Sequence, residues 1–265
     1  MNRSRTTIVA LLIVFVVLLA PVAVLFSPQM SNNSVTEDTI ELNVLATASL
    51  SNAFSTAAES FSRTNTNISV RLSFAGSSAL ASQILAGAPM DVVAMADNTN
   101  MEKVRAGNAI DATSVKTFAR NRLAIITAQG NPRSIASIRD LASPRLTVVL
   151  CDTSQPCGRY ADQMFERAGL IITPASRENS VTGVISRVRT GEADAGIAYI
   201  SDAVANTDIS AVSIPDADNV LAEYPIAIAT QPSSGNASAA QTFVNFIMSP
   251  EGQTILKNAG FISAS

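Results

Sequence analysis

The sequence predicts an α/β protein, a mixed and mostly parallel sheet with helices on both faces. Two observations carry this. From residue 40 onward, segments with period-two apolar spacing alternate with segments of helical spacing. The chain is also 47% hydrophobic and only 15% charged, enough apolar surface to build a core and too little charge for a disordered chain. It shows no fixed-period repeat and no low-complexity stretch.

The elements follow in order. Leu42, Val44 and Ala46 mark a first strand that ends in ATASL. Leu50, Ala53, Phe54, Ala57, Ala58 and Phe61 then recur at helical spacing. Ile68, Val70, Leu72 and Phe74 alternate with Ser69, Arg71 and Ser73 as a half-buried strand. After Gly76-Ser77-Ser78 comes a helix through Leu80, Ile84 and Leu85, stopped by Gly87 and Pro89. DVVAMA (91–96) is a short buried strand, and 99–106 is a helix. RLAIIT (122–127) is a strand, Ser134 to Ala142 a helix, and RLTVVL (145–150) a strand. Helix 158–168 ends at Gly169 and helix 181–190 at Gly191, followed by strands at 195–200, 211–215 and 223–230. A helical stretch over 238–259, interrupted near Pro250, closes the chain. The pattern fits one large α/β unit or two lobes joined through the strands at 122–127 and 223–230.

Composition removes several functions. The 265 residues contain no histidine, so neither a Ser-His-Asp triad nor an imidazole zinc site can be assembled. Lys+Arg is 18 and Asp+Glu 21; without Arg3 and Arg5, which precede the first acid by more than thirty residues, the balance is 16 against 21, or −5. A duplex binder presents a basic face, and no Lys/Arg cluster exists here, so nucleic acid is not an expected partner.

The N-terminus points outside the cytoplasm. Arg3 and Arg5 precede Ile8–Phe26, 19 residues without a charged or polar side chain. As a helix this run reaches about 28 Å, close to the thickness of a bilayer core. It is longer than the usual apolar part of a cleaved signal, and no clean A-x-A or terminal cysteine follows. An export signal retained as a membrane anchor and a signal cut between Ala23 and Met30 both remain open. Arg3 and Arg5 place the rest of the chain extracytoplasmic, in a periplasm or at the outer face of the membrane. The polar residues 27–38 make a tether. In such a compartment Cys151 and Cys157, in CDTSQPCGRY, are expected to form a disulfide, two separate thiols being the alternative.

Four strand-to-helix turns share one chemical character: Ala48-Ser49-Leu50, Gly76-Ser77-Ser78, Pro156-Cys157-Gly158 and Asn179-Ser180-Val181. The first N–H groups of a helix have no partner inside it, and the peptide dipoles place about half a positive charge there. Several such ends aimed at one point would hold an anion without any Lys or Arg. Each turn taken singly is equally an ordinary N-cap, and Tyr199 at a strand end equally a half-buried amphipathic residue.

Six stretches resemble the molybdate-binding proteins that serve ABC importers. They are NVLATASLSNAF (43–54), LSFAGSSALASQILAGAPMDVVAMAD (72–97), PCGRYADQMFERAGL (156–170), ENSVTGVISRVRTGEADAGIAYISDA (178–203), EYPIAIA (223–229) and FIMSPEGQTILKNAGF (246–261). The resemblance implies a two-lobed periplasmic-binding-protein fold of type II closing on a tetrahedral oxyanion. The lobes would comprise 39–121 with 223–265, and 122–222, after a signal or anchor and tether over 1–38. The resemblance also implies the donors: the hydroxyls of Ser49 and Ser77, the backbone N–H groups of Cys157 and Val181, and the hydroxyl of Tyr199. Ser78 and Gly158 are neighbouring candidates. The family often has alanine where Cys157 stands, which leaves a backbone donor intact. The ligand implied is molybdate or tungstate, with molybdenum met only as its oxyanion and no direct protein ligand to the metal. No cofactor is implied, and the partner is the importer's membrane permease. A monomer without enzymatic activity is expected. The alternatives are the same fold with sulfate or another anion, and an extracytoplasmic hydrolase, against which the absence of S-x-x-K and of Trp both speak.

Overall fold

The computed structural model describes residues 39–264; the expected export segment and the tether lie outside them. Among the described residues no helix is long and apolar enough to cross a membrane.

The chain enters through strand β1 (Ile40–Thr47), a single 3-10 turn at Ala48–Leu50 and helix α1 (Ser51–Thr64). Strand β2 (Ile68–Ala75), helix α2 (Ser77–Leu85), strand β3 (Val92–Ala94) and helix α3 (Asn98–Ala106) complete a doubly wound start. The long strand β4 (Lys116–Ala128) leads to a second set: β5 (Val148–Cys151), α4 (Pro156–Arg167), β6 (Ser176–Glu178), α5 (Val181–Arg189), β7 (Ala195–Tyr199), α6 (Ile200–Ala205) and β8 (Ile209–Ser213). Strand β9 (Leu221–Ile228), helices α7 (Ala237–Met248) and α8 (Pro250–Asn258) and the short β10 (Ile262–Ser263) end the chain.

The strands join in the order β2-β1-β3-β9-β4-β7-β5-β6, with β8 and β10 added to β4. Parallel pairing is confined to β2-β1-β3 and β6-β5-β7, and every pairing with β4 or β9 is antiparallel. The first half of β4, Lys116–Arg122, pairs with β9, and its second half, Leu123–Thr127, pairs with β7. One strand therefore belongs to both halves of the sheet; the parallel triplets β3-β1-β2 and β7-β5-β6 repeat one order, with β9 lying between β4 and the first of them.

The period-two reading of β1 holds in detail. Leu42, Val44 and Ala46 point into a core with Phe54, Phe61, Phe118 and Phe243, whereas Leu45 faces a second core with Leu80, Met95, Met101 and Val104. Both faces of the strand are thus covered, as a crossover-connected sheet requires. In α1 the predicted stripe is buried, and the ring of Phe61 meets Phe243 edge-on at 5.3 Å. Full burial of one such side chain contributes about 1.5–3 kcal/mol. Helix α4 ends as expected: Gly169 adopts φ +65°, and Leu170 N–H returns to the Phe165 carbonyl at 2.9 Å.

One predicted element is not there. Residues 134–142 form a loop with a single 3-10 turn at Asp140–Ala142. The Asp140 carboxylate accepts the N–H groups of Ala136 and Ser137 at 2.8 and 2.9 Å, and Ser134 sits at φ +52°. Local side-chain bonds of this kind compete with the helical ladder. The strand read at 122–127 begins six residues earlier, and β6, α6 and β10, too short to show a period, come only from the structure.

Candidate functional site

Six parallel-paired strand ends converge. Strands β1, β2 and β3 end at Thr47, Ala75 and Ala94, and β5, β6 and β7 end at Cys151, Glu178 and Tyr199. In doubly wound sheets, ligands bind at the carboxyl ends of the strands, where helices start. A cavity of about 10 Å³ lies there, about the space of one water molecule with the two halves this close.

Four helix beginnings wall it. The turn after β1 supplies Thr47, Ala48 and Ser49, and the turn after β2 supplies Gly76 and Ser77. From the other half come Gln155, Pro156 and Cys157 at the start of α4, and Ser180 and Val181 at the start of α5. Ala96 and Tyr199 close the wall. No lining residue carries a charge. Of the seven predicted positions, Ser49, Ser77, Cys157, Val181 and Tyr199 all line the cavity; Ser78 and Gly158 stand one residue behind it. The two halves contribute in matched pairs, the β1 and β5 turns giving Ser49 and Cys157, the β2 and β6 turns Ser77 and Val181.

Local chemistry sets each group. Pro156 occupies the first turn of α4, where its missing N–H is no loss, so the N–H of Cys157 is among those left without an intrahelical partner. Cys151 and Cys157 are joined by a disulfide with Cα atoms 5.7 Å apart, tying the end of β5 to the start of α4. Gly158 is fixed by packing, since a Cβ there would lie 2.1 Å from the Asp152 carbonyl oxygen. Ser180 caps α5 by accepting the Gly183 N–H at 3.3 Å, leaving the Val181 N–H toward the cavity end.

The hydroxyls differ. Ser77 is fully buried; its Oγ accepts the Ala96 N–H at 3.1 Å and donates to Thr47 Oγ1 at 3.2 Å. Ser49 Oγ lies 2.9 Å from the hydroxyl of Tyr224, a fully buried residue of β9. Tyr199 is 1% exposed, and its hydroxyl is buried with no hydrogen-bond partner among the described residues. Burial pushes that hydroxyl well above the usual tyrosine range, keeping it a neutral donor. A buried polar group without a partner costs about 1–3 kcal/mol, so the Tyr199 hydroxyl is a donor that an acceptor in the cavity would satisfy.

Some features carried no sequence signal. Gln155 reaches across the cavity mouth and accepts the Ser78 N–H through Oε1 at 3.3 Å. Asp97, 3% exposed at its side chain and the N-cap of α3, forms an ion pair with Arg159 of α4. This neutralises a cation close to the site; burial draws the Arg159 guanidinium below its ordinary value. Among the described residues no cluster of acids or cysteines is placed to hold a metal ion.

A two-lobed α/β chain with neutral donors around a closed cavity at its strand ends is a solute-binding protein in design. The chain belongs to the family of bacterial extracellular solute-binding proteins, matched over residues 42–262. Within it, the chain is similar to the molybdate-binding protein ModA. The protein of that name from Mycobacterium tuberculosis H37Rv is 38% identical over 236 residues, 89% of each chain. That of Escherichia coli K12 is 29% identical over 231 residues, 83% of this chain and 88% of the relative. The solved periplasmic molybdate-binding protein of Azotobacter vinelandii shares the fold, with a TM-score of 0.73 at 20% identity over 84% of this chain and 100% of that one.

Proposed function

We propose that this protein captures a tetrahedral oxyanion, molybdate or tungstate, outside the cytoplasm and hands it to the membrane permease of an ABC importer. The observation that carries the proposal is the convergence of four helix N-termini and the unpartnered Tyr199 hydroxyl on one uncharged cavity. The donors are the hydroxyls of Ser49 and Tyr199, the N–H groups of Cys157 and Val181, and the Ser77 hydroxyl once its hydrogen turns from Thr47 Oγ1 to the guest. A chain of net negative charge can hold a dianion this way because the field of remote charges is screened beyond about 8–10 Å. Within each lobe the helix starts fix the donors before the guest arrives, so little is lost in ordering them.

Lobes 39–121 with 223–265, and 122–222, close on the guest with β4 as the shared strand. The N-terminal apolar segment exports the chain, as a retained anchor or a cleaved signal. The protein acts as a monomer, without a cofactor and without turnover; its relatives' names describe binding proteins.

Discrimination rests on size. A smaller anion of equal charge leaves at least one buried donor unpaired, at about 1–3 kcal/mol, or one to two decades in affinity. Calorimetric titration of the purified protein with molybdate, tungstate and sulfate tests this. Molybdate and tungstate are expected to bind at least about tenfold more tightly than sulfate. Sulfate as the tightest guest would assign the cavity to a smaller anion, and binding of none would end the proposal.

A further inference from the structure

We infer that Tyr224 is a positioning residue for the oxyanion site, acting through Ser49: its hydroxyl donates to Ser49 Oγ and thereby turns the Ser49 hydrogen toward the cavity. The inference rests on the proposed oxyanion binding and adds a residue outside the cavity wall. A serine hydroxyl has one hydrogen. If Ser49 donated to Tyr224, it would present only lone pairs to an anion and repel it. If Tyr224 donates, Ser49 is free to donate to the guest.

The surroundings of Tyr224 hold the pair in place, and an anionic guest selects the second arrangement. Its ring is fully buried and held edge-on by Phe118, Tyr199 and Phe261, with the ring of Phe261 at 5.3 Å. That packing fixes the position of the hydroxyl oxygen, and Ser49 Oγ lies 2.9 Å from it. A guest that is an anion accepts from Ser49, so the single hydrogen of Tyr224 goes to Ser49 Oγ. Burial keeps Tyr224 un-ionised, its hydroxyl held well above the ordinary range, so the hydrogen stays in place at any physiological pH. The chain Tyr224, Ser49, guest runs in one donating direction, and hydrogen bonds in series strengthen one another.

Tyr224 comes from β9, 175 residues beyond Ser49. The strand that returns to the first half of the sheet thus sets the polarity of a donor on its first turn.

The test is a double-mutant cycle on the full chain, titrated with molybdate. Tyr224→Phe keeps the ring and its packing and is expected to weaken binding about five- to tenfold. Ser49→Ala should weaken it by at least as much. In the Ser49→Ala background, Tyr224→Phe should have no further effect, which a merely structural role for the tyrosine would not produce. Equal losses in both backgrounds, or unchanged affinity in Tyr224→Phe, would overturn the inference while leaving oxyanion binding intact. A wild-type chain that binds no molybdate, tungstate or sulfate overturns both. Should Tyr224→Phe not fold, 3-fluorotyrosine placed at 224, a stronger donor with the same ring, should tighten molybdate binding; weaker or unchanged binding would count against the inference.

Discussion

At the scale of single residues, the cavity separates hydroxyls that have partners from one that does not. Tyr199→Phe removes a buried donor with no bond in the ligand-free protein, so it should spare or slightly raise the melting temperature while weakening molybdate binding about fivefold or more. Ser77→Ala should do both kinds of damage. It strips the buried Ala96 N–H of its acceptor, a cost of about 1–3 kcal/mol, and takes a hydroxyl from the cavity. Paired melting curves and titrations of the two variants check the contrast; a Tyr199→Phe that melts well below wild type with unchanged affinity would reverse the assignment. This is also where sequence reasoning is most uneven. Ser49, Ser77, Cys157, Val181 and Tyr199 are named through the resemblance to molybdate-binding proteins, since the turn chemistry alone leaves each turn equally an ordinary N-cap. Gln155 and Tyr224 are not, because their roles arise from contacts 77 and 175 residues away that no local pattern encodes.

At the scale of elements, the site depends on how each helix begins. Helix α6 is the instructive case. Asp202 sits in its first turn and accepts the Tyr199 N–H at 3.0 Å, next to the cavity tyrosine. Burial pushes its carboxyl up to about 7 from an ordinary 3.8, the Tyr199 N–H offsetting only part of that. The folded protein therefore holds a proton that the unfolded chain releases between about pH 4 and pH 7, and stability falls as pH rises through that window. Asp202→Asn keeps an acceptor for the Tyr199 N–H and removes the titration. Its melting temperature should be flatter than that of wild type between about pH 5 and pH 8, and no lower than wild type at the upper end. An unchanged slope would remove Asp202 from the account. Strongly periodic elements such as α1 and β1 are legible in the sequence because both faces of their pattern meet a core. The stretch 134–142 is misread for a complementary reason: its Ile135, Ile138 and Leu141 are buried at helix-like spacing, while Asp140 ties up the N–H groups a helix would need.

At the scale of the molecule, the account needs two halves that meet closely. Gly76 is the point of nearest approach: a Cβ there would lie 2.5 Å from Gln155 Oε1 and 2.7 Å from the Asn179 carbonyl oxygen. Both neighbours belong to the other half of the sheet. Gly76→Ala should therefore lower the melting temperature, although alanine suits the backbone at φ −65°, and weaken molybdate binding about tenfold or more, because its Cβ props the halves apart. Wild-type affinity in that variant would show that the halves need not approach this far. The ion pair of Asp97 with Arg159 spans the same divide and keeps a cation's charge on its own partner instead of on the guest. The doubly wound class is readable from alternation alone; this closeness is not, because glycine in a turn signals backbone freedom as readily as a neighbour.

The central claim is that a doubly negative guest is held by peptide N–H and hydroxyl groups with no cationic side chain against it. A crystal structure of the protein grown with tungstate, located by anomalous scattering, tests it most directly. The account predicts one heavy atom in the cavity, its oxygens within hydrogen-bonding distance of Ser49, Ser77, Cys157, Val181 and Tyr199. Tungstate lodged against Arg159 or another arginine, or an empty cavity, would contradict it.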